Sequence, residues 1–135
     1  MVQLPQIGDE YDAPQQRALA REIERALNND KRKPLSPQLS DAEETDFDPT
    51  KDILLTTRSG TGTGTINLPT VADMVGRLIY IKDAGLNASG NIQTIDAAGS
   101  EEIDGATTYG MTTDGACVGL YSDGADWYIV FTAML

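Results

Sequence analysis

The sequence predicts a mainly β protein, with an N-terminal arm and a single helix followed by a small antiparallel β-sandwich or jelly-roll-like domain. Three observations predict it. From residue 52 onward, short runs rich in Val, Ile, Thr and Tyr are divided by Gly, Asn and Asp. Their spacing, roughly 8–12 residues between turn signals, is that of strands in sandwiches and barrels. Only one stretch, near the N-terminus, carries a helical period. Finally, 13 Gly and many Thr, Asn and Asp favour strands and turns over a helical bundle.

Residues 1–13 read as an extended arm. Pro5, Gly8 and three acids break any regular element, and Val2, Leu4, Ile7 and Tyr11 are scattered apolar groups. Such a segment gains order only by lying on another surface. Residues 12–29 read as the helix. Asp12 and Gln15 have capping-box spacing, and Pro14 falls in the first turn, where no amide partner is lost. Leu19, Ile23, Ala26 and Leu27 form one narrow apolar stripe. A helix of this length is marginal in water alone, so the stripe needs a partner: its own β domain, copies of itself or another protein. We expect residues 1–33, through Val2, Leu4, Ile7 and that stripe, to serve attachment or oligomerisation. The basic run Lys31, Arg32, Lys33 suits a helix C-terminus.

Residues 34–51 carry Pro34, Pro37 and Pro49 and a dense group of acids between Asp41 and Asp48. They read as an acidic, extended linker. The β domain is then expected over 52–135, with eight candidate strands: DILLTT, TGTINLP, GRLIYIKD, NIQTID, EEIDG, TTYGMTT, ACVGLYSDG and DWYIVFT. Ser122 to Asp126 reads as a hairpin connection. The IKD ending of the third run offers a charge that can bond the backbone of the Gly/Asn-rich loop after it. On the last strand, Trp127 and Ile129 share one face and are expected to anchor the core. Tyr128 and Val130 share the other, so both faces are apolar, core on one side and a neighbouring subunit on the other. About 84 residues is small for eight strands, and small β domains leave open edges that invite association.

Charge and composition exclude several functions. Net charge is −11, and both halves are acidic. A nucleic-acid-binding protein needs a cationic face to displace counterions, so nucleic acid is not expected as a partner. There is no His and one Cys, which removes zinc-type sites and any intramolecular disulfide. Cys117, in Ala116-Cys117-Val118, reads as a small buried hydrophobe. No long apolar run predicts a membrane span, and the first residues lack a secretory pattern, so synthesis in the cytoplasm is expected.

The order of motifs over residues 62–131 resembles a β domain found in tailed-bacteriophage fibre, spike and decoration proteins. The features are INLP at Ile66 to Pro69, VGRLIYIKDAG at Val75 to Gly85 and NIQTI at Asn91 to Ile95. The IDG step at Ile103 to Gly105 and LYSDGADWYI at Leu120 to Ile129 follow. The resemblance implies a virion protein, a homo-trimer attached through its N-terminal part to capsid, portal, connector or tail protein.

No catalytic constellation stands out. Without His, the usual base for a Ser or Cys nucleophile is missing. Glu101, Glu102 and Asp104, with Asp123 and Asp126, are the acidic clusters worth weighing for glycoside hydrolysis. Neighbours on a strand point to opposite faces, and turn acids are commonly structural. Thr61-Gly62-Thr63-Gly64-Thr65 lacks the Lys and the helix of a phosphate cradle. The expectation is a non-enzymatic structural protein without cofactor or metal, a short head, neck or tail fibre or spike. A capsid decoration (cement) protein and a host-polysaccharide-binding module are the alternatives.

Overall fold

The computed structural model describes residues 14–30 and 35–134, with the side chains of 26–30 excepted. Val2, Leu4, Ile7 and Asp12, and the side chains of Ala26 and Leu27, therefore lie outside the described residues. The chain forms two compact units, Met1–Pro34 and Leu35–Leu135.

In the first unit, helix α1 spans Pro14–Asp30. Pro14 opens it, as a residue without an amide proton can. Leu19 and Ile23, one turn apart, are 59% and 51% exposed.

Among the described residues, the second unit has nine strands. They are β1 (Gln38–Ser40), β2 (Glu44–Asp46), β3 (Ile53–Thr56), β4 (Gly64–Asn67), β5 (Leu78–Asp83), β6 (Gln93–Asp96), β7 (Thr108–Met111), β8 (Cys117–Ser122) and β9 (Trp127–Ala133). A 3-10 turn, Val71–Met74, separates β4 from β5. Sheet A has the order β1-β3-β5-β8-β9, and sheet B the order β2-β4-β6-β7. The first six strands alternate between the sheets, so the chain winds through three successive coils. In sheet A, Leu54 lies opposite both Gln38 and Ile81. In sheet B, Ile66 lies opposite both Thr45 and Ile95.

This topology corrects the expectation of an antiparallel sandwich or jelly roll. A hairpin makes neighbours antiparallel. Here consecutive strands lie in opposite sheets, and neighbours in a sheet are one full coil apart. They run the same way, so β1-β3-β5 and β2-β4-β6 are parallel. Antiparallel pairing appears only where β7, β8 and β9 close the structure. Both sheets are mixed, and together they make a sandwich-like unit.

Two further expectations change. The segment 34–51 is not a linker throughout: β1 and β2 lie within it, and the compact unit begins at Leu35. Phe47, in the acidic stretch, is 2% exposed and belongs to the core. EEIDG forms no strand. Asp104 and Gly105 both take positive φ, which turns the chain, and Ile103 makes only isolated bridges to Ala106 and Trp127.

One core lies between the sheets. Leu54, Ile79, Ile81, Val118 and Leu120 enter from sheet A, and Ile66, Ile95 and Met111 from sheet B. Val71 and Met74 of the 3-10 turn join them, and Trp127 is fully buried. Ile129 is half-buried and packs against this cluster.

Candidate functional surface

The corner where the chain crosses from sheet A to sheet B is polar inside. In the first coil, Ser40 and Thr45 share a hydrogen bond between hydroxyls. In the next, the Thr56 hydroxyl donates to Gln93 Oε1 at 2.5 Å, and Gln93 Nε2 donates to Asp83 Oδ1 at 3.2 Å. Asp83 is completely buried. Its Oδ2 accepts from the backbone N–H groups of Asn87 (2.9 Å), Ala88 (2.9 Å) and Gly115 (3.0 Å). The carboxylate at the end of β5 thus ties down the Gly/Asn-rich loop, as its place in IKD suggests. It also reaches the β7–β8 turn. A buried carboxylate surrounded by donors is satisfied without a cation.

Arg58 lies in the same corner and is only 3% exposed. Its Nη1 donates weakly to the Glu43 carbonyl at 3.5 Å, while Nε and Nη2 have no protein partner. A Cβ on Gly64 would overlap the Arg58 guanidinium, so glycine is what lets that side chain lie inside. Gly64 of the Thr/Gly-rich run therefore serves packing. Burial of Arg58 was not foreseen, because Arg is ordinarily a surface residue.

Of the acids weighed for chemistry, Glu101, Asp104, Asp123 and Asp126 bind backbone N–H groups through their carboxylates. Glu101 accepts from the Val71 N–H through both oxygens at 3.1 Å, at the start of the 3-10 turn. Asp126 accepts from Glu102 N–H at 3.1 Å, and Asp104 from Ile129 N–H at 3.2 Å. Asp123 Oδ1 accepts from the N–H groups of Ala125 and Asp126, closing the β8–β9 hairpin. The N–H groups of Asp126 and Ala125 hold its carboxyl below the usual carboxylate range. The neighbouring Asp123 carboxylate pushes the Tyr128 phenol up. Among the described residues, no group of three or more His, Cys, Asp or Glu is placed to hold a metal ion.

The outer faces of the two sheets differ sharply. On sheet B, one outward row runs Glu44, Thr65, Thr94, Gly110, and the next Asp46, Asn67, Asp96, Thr108. Both are polar. On sheet A, one row runs Leu39, Leu55, Lys82, Cys117, Ala133. The next runs Ile53, Tyr80, Gly119, Phe131, and the third Leu78, Tyr121, Tyr128. Every one is apolar or aromatic except Lys82 and Gly119. A Cβ on Gly119 would stand 3.0 Å from the Tyr80 ring and 3.2 Å from Phe131 Cβ, so these two aromatics close over the glycine from either side.

Leu39, Tyr121, Tyr128 and Phe131 are between 37% and 69% exposed. A register shift opposite Gly119/Leu120 displaces Val130 from the alternation and leaves it 56% exposed. Cys117 is partly buried on this face rather than in the core, and that burial raises its thiol pKa. The outward positions of β5 could have revealed the face, since Leu78 and Tyr80 alternate with the equally apolar Ile79 and Ile81. No family model matches the chain, and no curated protein matches it.

Proposed function

We propose that the protein is a non-enzymatic structural component of a tailed-bacteriophage particle. Residues 1–33 fix it to a capsid, portal, connector or tail protein. The β unit projects from that anchor as a trimer, a short fibre or spike. One observation carries the assembly part of this reading: a compact unit with one polar outer sheet face and one apolar face. Monomeric proteins rarely expose such a contiguous apolar surface, and a large one marks association. The motif order from Ile66 to Ile129 supports the virion setting. The exposed pair Leu19 and Ile23, on a helix too short to be stable alone, supports the anchoring role.

Removing residues 1–34 tests the anchor. The remaining unit is expected to stay folded and soluble but to be missing from purified particles. In the full chain, Leu19→Asp with Ile23→Asp is expected to lower incorporation nearly as much, with the β-sheet circular dichroism unchanged. Truncated protein present at normal copy number would move attachment to the β unit.

A further inference from the structure

Parallel sheets are normally covered on both faces, and their strands then read as continuous apolar runs. Strands β3 (ILLT) and most of β5 (LIYIKD) read that way, whereas β6 (QTID) alternates. Sheet A thus has the composition of a sheet covered on both sides, but only its inner face meets the core. Five strands about 4.8 Å apart, each some five residues long, give a face of about 19 by 17 Å on which no other strand of the described residues packs.

The charge distribution indicates what covers it. The protein carries −11 overall, so two copies repel wherever acids face each other. Sheet B's outer rows hold Glu44, Asp46 and Asp96. Sheet A's outer rows hold no acid, and their single charge, Lys82, donates to the Gly115 carbonyl. An acidic or basic partner would find little complement there, because Lys82 is already engaged with the Gly115 carbonyl, while another copy of the same acid-free apolar face would. Aromatic residues at the centre of a patch without acids are the composition of interface cores. From these observations we infer that copies of this chain meet through the outer face of sheet A, with the Tyr80–Gly119–Phe131 row at the centre. This inference rests on the oligomeric reading above and adds the surface that builds the oligomer.

Cys117 lies on this face and is the only cysteine, so the full-length protein carries its own probe. Maleimide labelling of Cys117 is followed across a concentration series, alongside sedimentation of the wild type, Phe131→Glu, Tyr121→Glu and, on sheet B, Thr94→Glu. Trp127 fluorescence reports folding. Cys117 labelling in the wild type is expected to slow as the protein associates. Either sheet A variant is expected to weaken association at least about tenfold, as charges placed in interface centres do, and Thr94→Glu to leave it unchanged. Tyr121 is partly exposed, so Tyr121→Glu decides the matter if Phe131→Glu does not fold. If folded Tyr121→Glu associates like an oligomeric wild type and Cys117 labelling ignores concentration, this face is not the contact, though the oligomer stands. A wild type that is monomeric throughout would overturn the oligomeric reading itself. A monomer with Cys117 slow to label at every concentration would put a segment of the same chain on the face, and would also overturn the inference.

Discussion

At the scale of single residues, stability concentrates in Asp83 and Trp127. Asp83 is the one acceptor shared by three backbone N–H groups from two different loops and by Gln93. Asp83→Ala leaves those donors buried without a partner, and each such donor costs about 1–3 kcal/mol. Urea unfolding of Asp83→Ala should therefore show a loss of about 3 kcal/mol or more; a loss well under 1 kcal/mol would mean that the loops are held by other contacts. Trp127, fully buried, fills the space near the closing hairpin. Trp127→Ala is expected to lower stability by about 3–5 kcal/mol, and a melting temperature within a degree or two of wild type would contradict its place in the core. Asp83 was legible from IKD followed by a Gly/Asn-rich loop, and Trp127 from the alternation of β9. Arg58 was not legible, because only the contact with Gly64, six residues along, explains its burial.

At the scale of elements, the β8–β9 hairpin gives a prediction about pH. Asp48, Asp114 and Asp123 all sit below the ordinary carboxylate range, each because backbone N–H groups donate to it: from Thr50, Ser89, and Asp126 with Ala125. A carboxyl lowered on folding contributes its full stabilisation above its unfolded pKa, about 4. That contribution fades as pH falls through the lower, folded-state values. Thermal melts between neutral pH and pH 2 should show this acid-side loss, and Asp123→Asn should lessen it. An unchanged acid profile in Asp123→Asn would remove the hairpin carboxylate from the account. Among the elements, α1 and seven of the eight expected strands were legible, because their periods and turn residues are local signals. Strands β1 and β2 were not. Each is three residues long, lies in the proline-bearing, acid-containing segment 34–51 that reads as a linker, and is held by parallel pairing to a strand one coil later. Parallel pairing also leaves no hairpin signal, and the coils differ in length, so no repeat is visible. EEIDG failed for the opposite reason: Ile103 sits beside a tight turn at Asp104 and Gly105 that alternation alone cannot reveal.

At the scale of the molecule, the asymmetry of the sandwich matters most. The polar rows of sheet B suit water, and the rows of sheet A do not. The sequence showed part of this, in Tyr128 of β9, while the bulge takes Val130, expected beside it, out of the alternation. The rest needed the register, because Leu39, Tyr80 and Phe131 are far apart in the chain and come together only when β1, β5, β8 and β9 pair. The central claim is that a protein with such a face exists as an assembly of copies, and that the assembly is a trimer. Sedimentation equilibrium of the full-length chain tests it most directly. The account predicts a species of three times 14.5 kDa at micromolar concentration, and a single 14.5 kDa species at every concentration up to the millimolar range would contradict it.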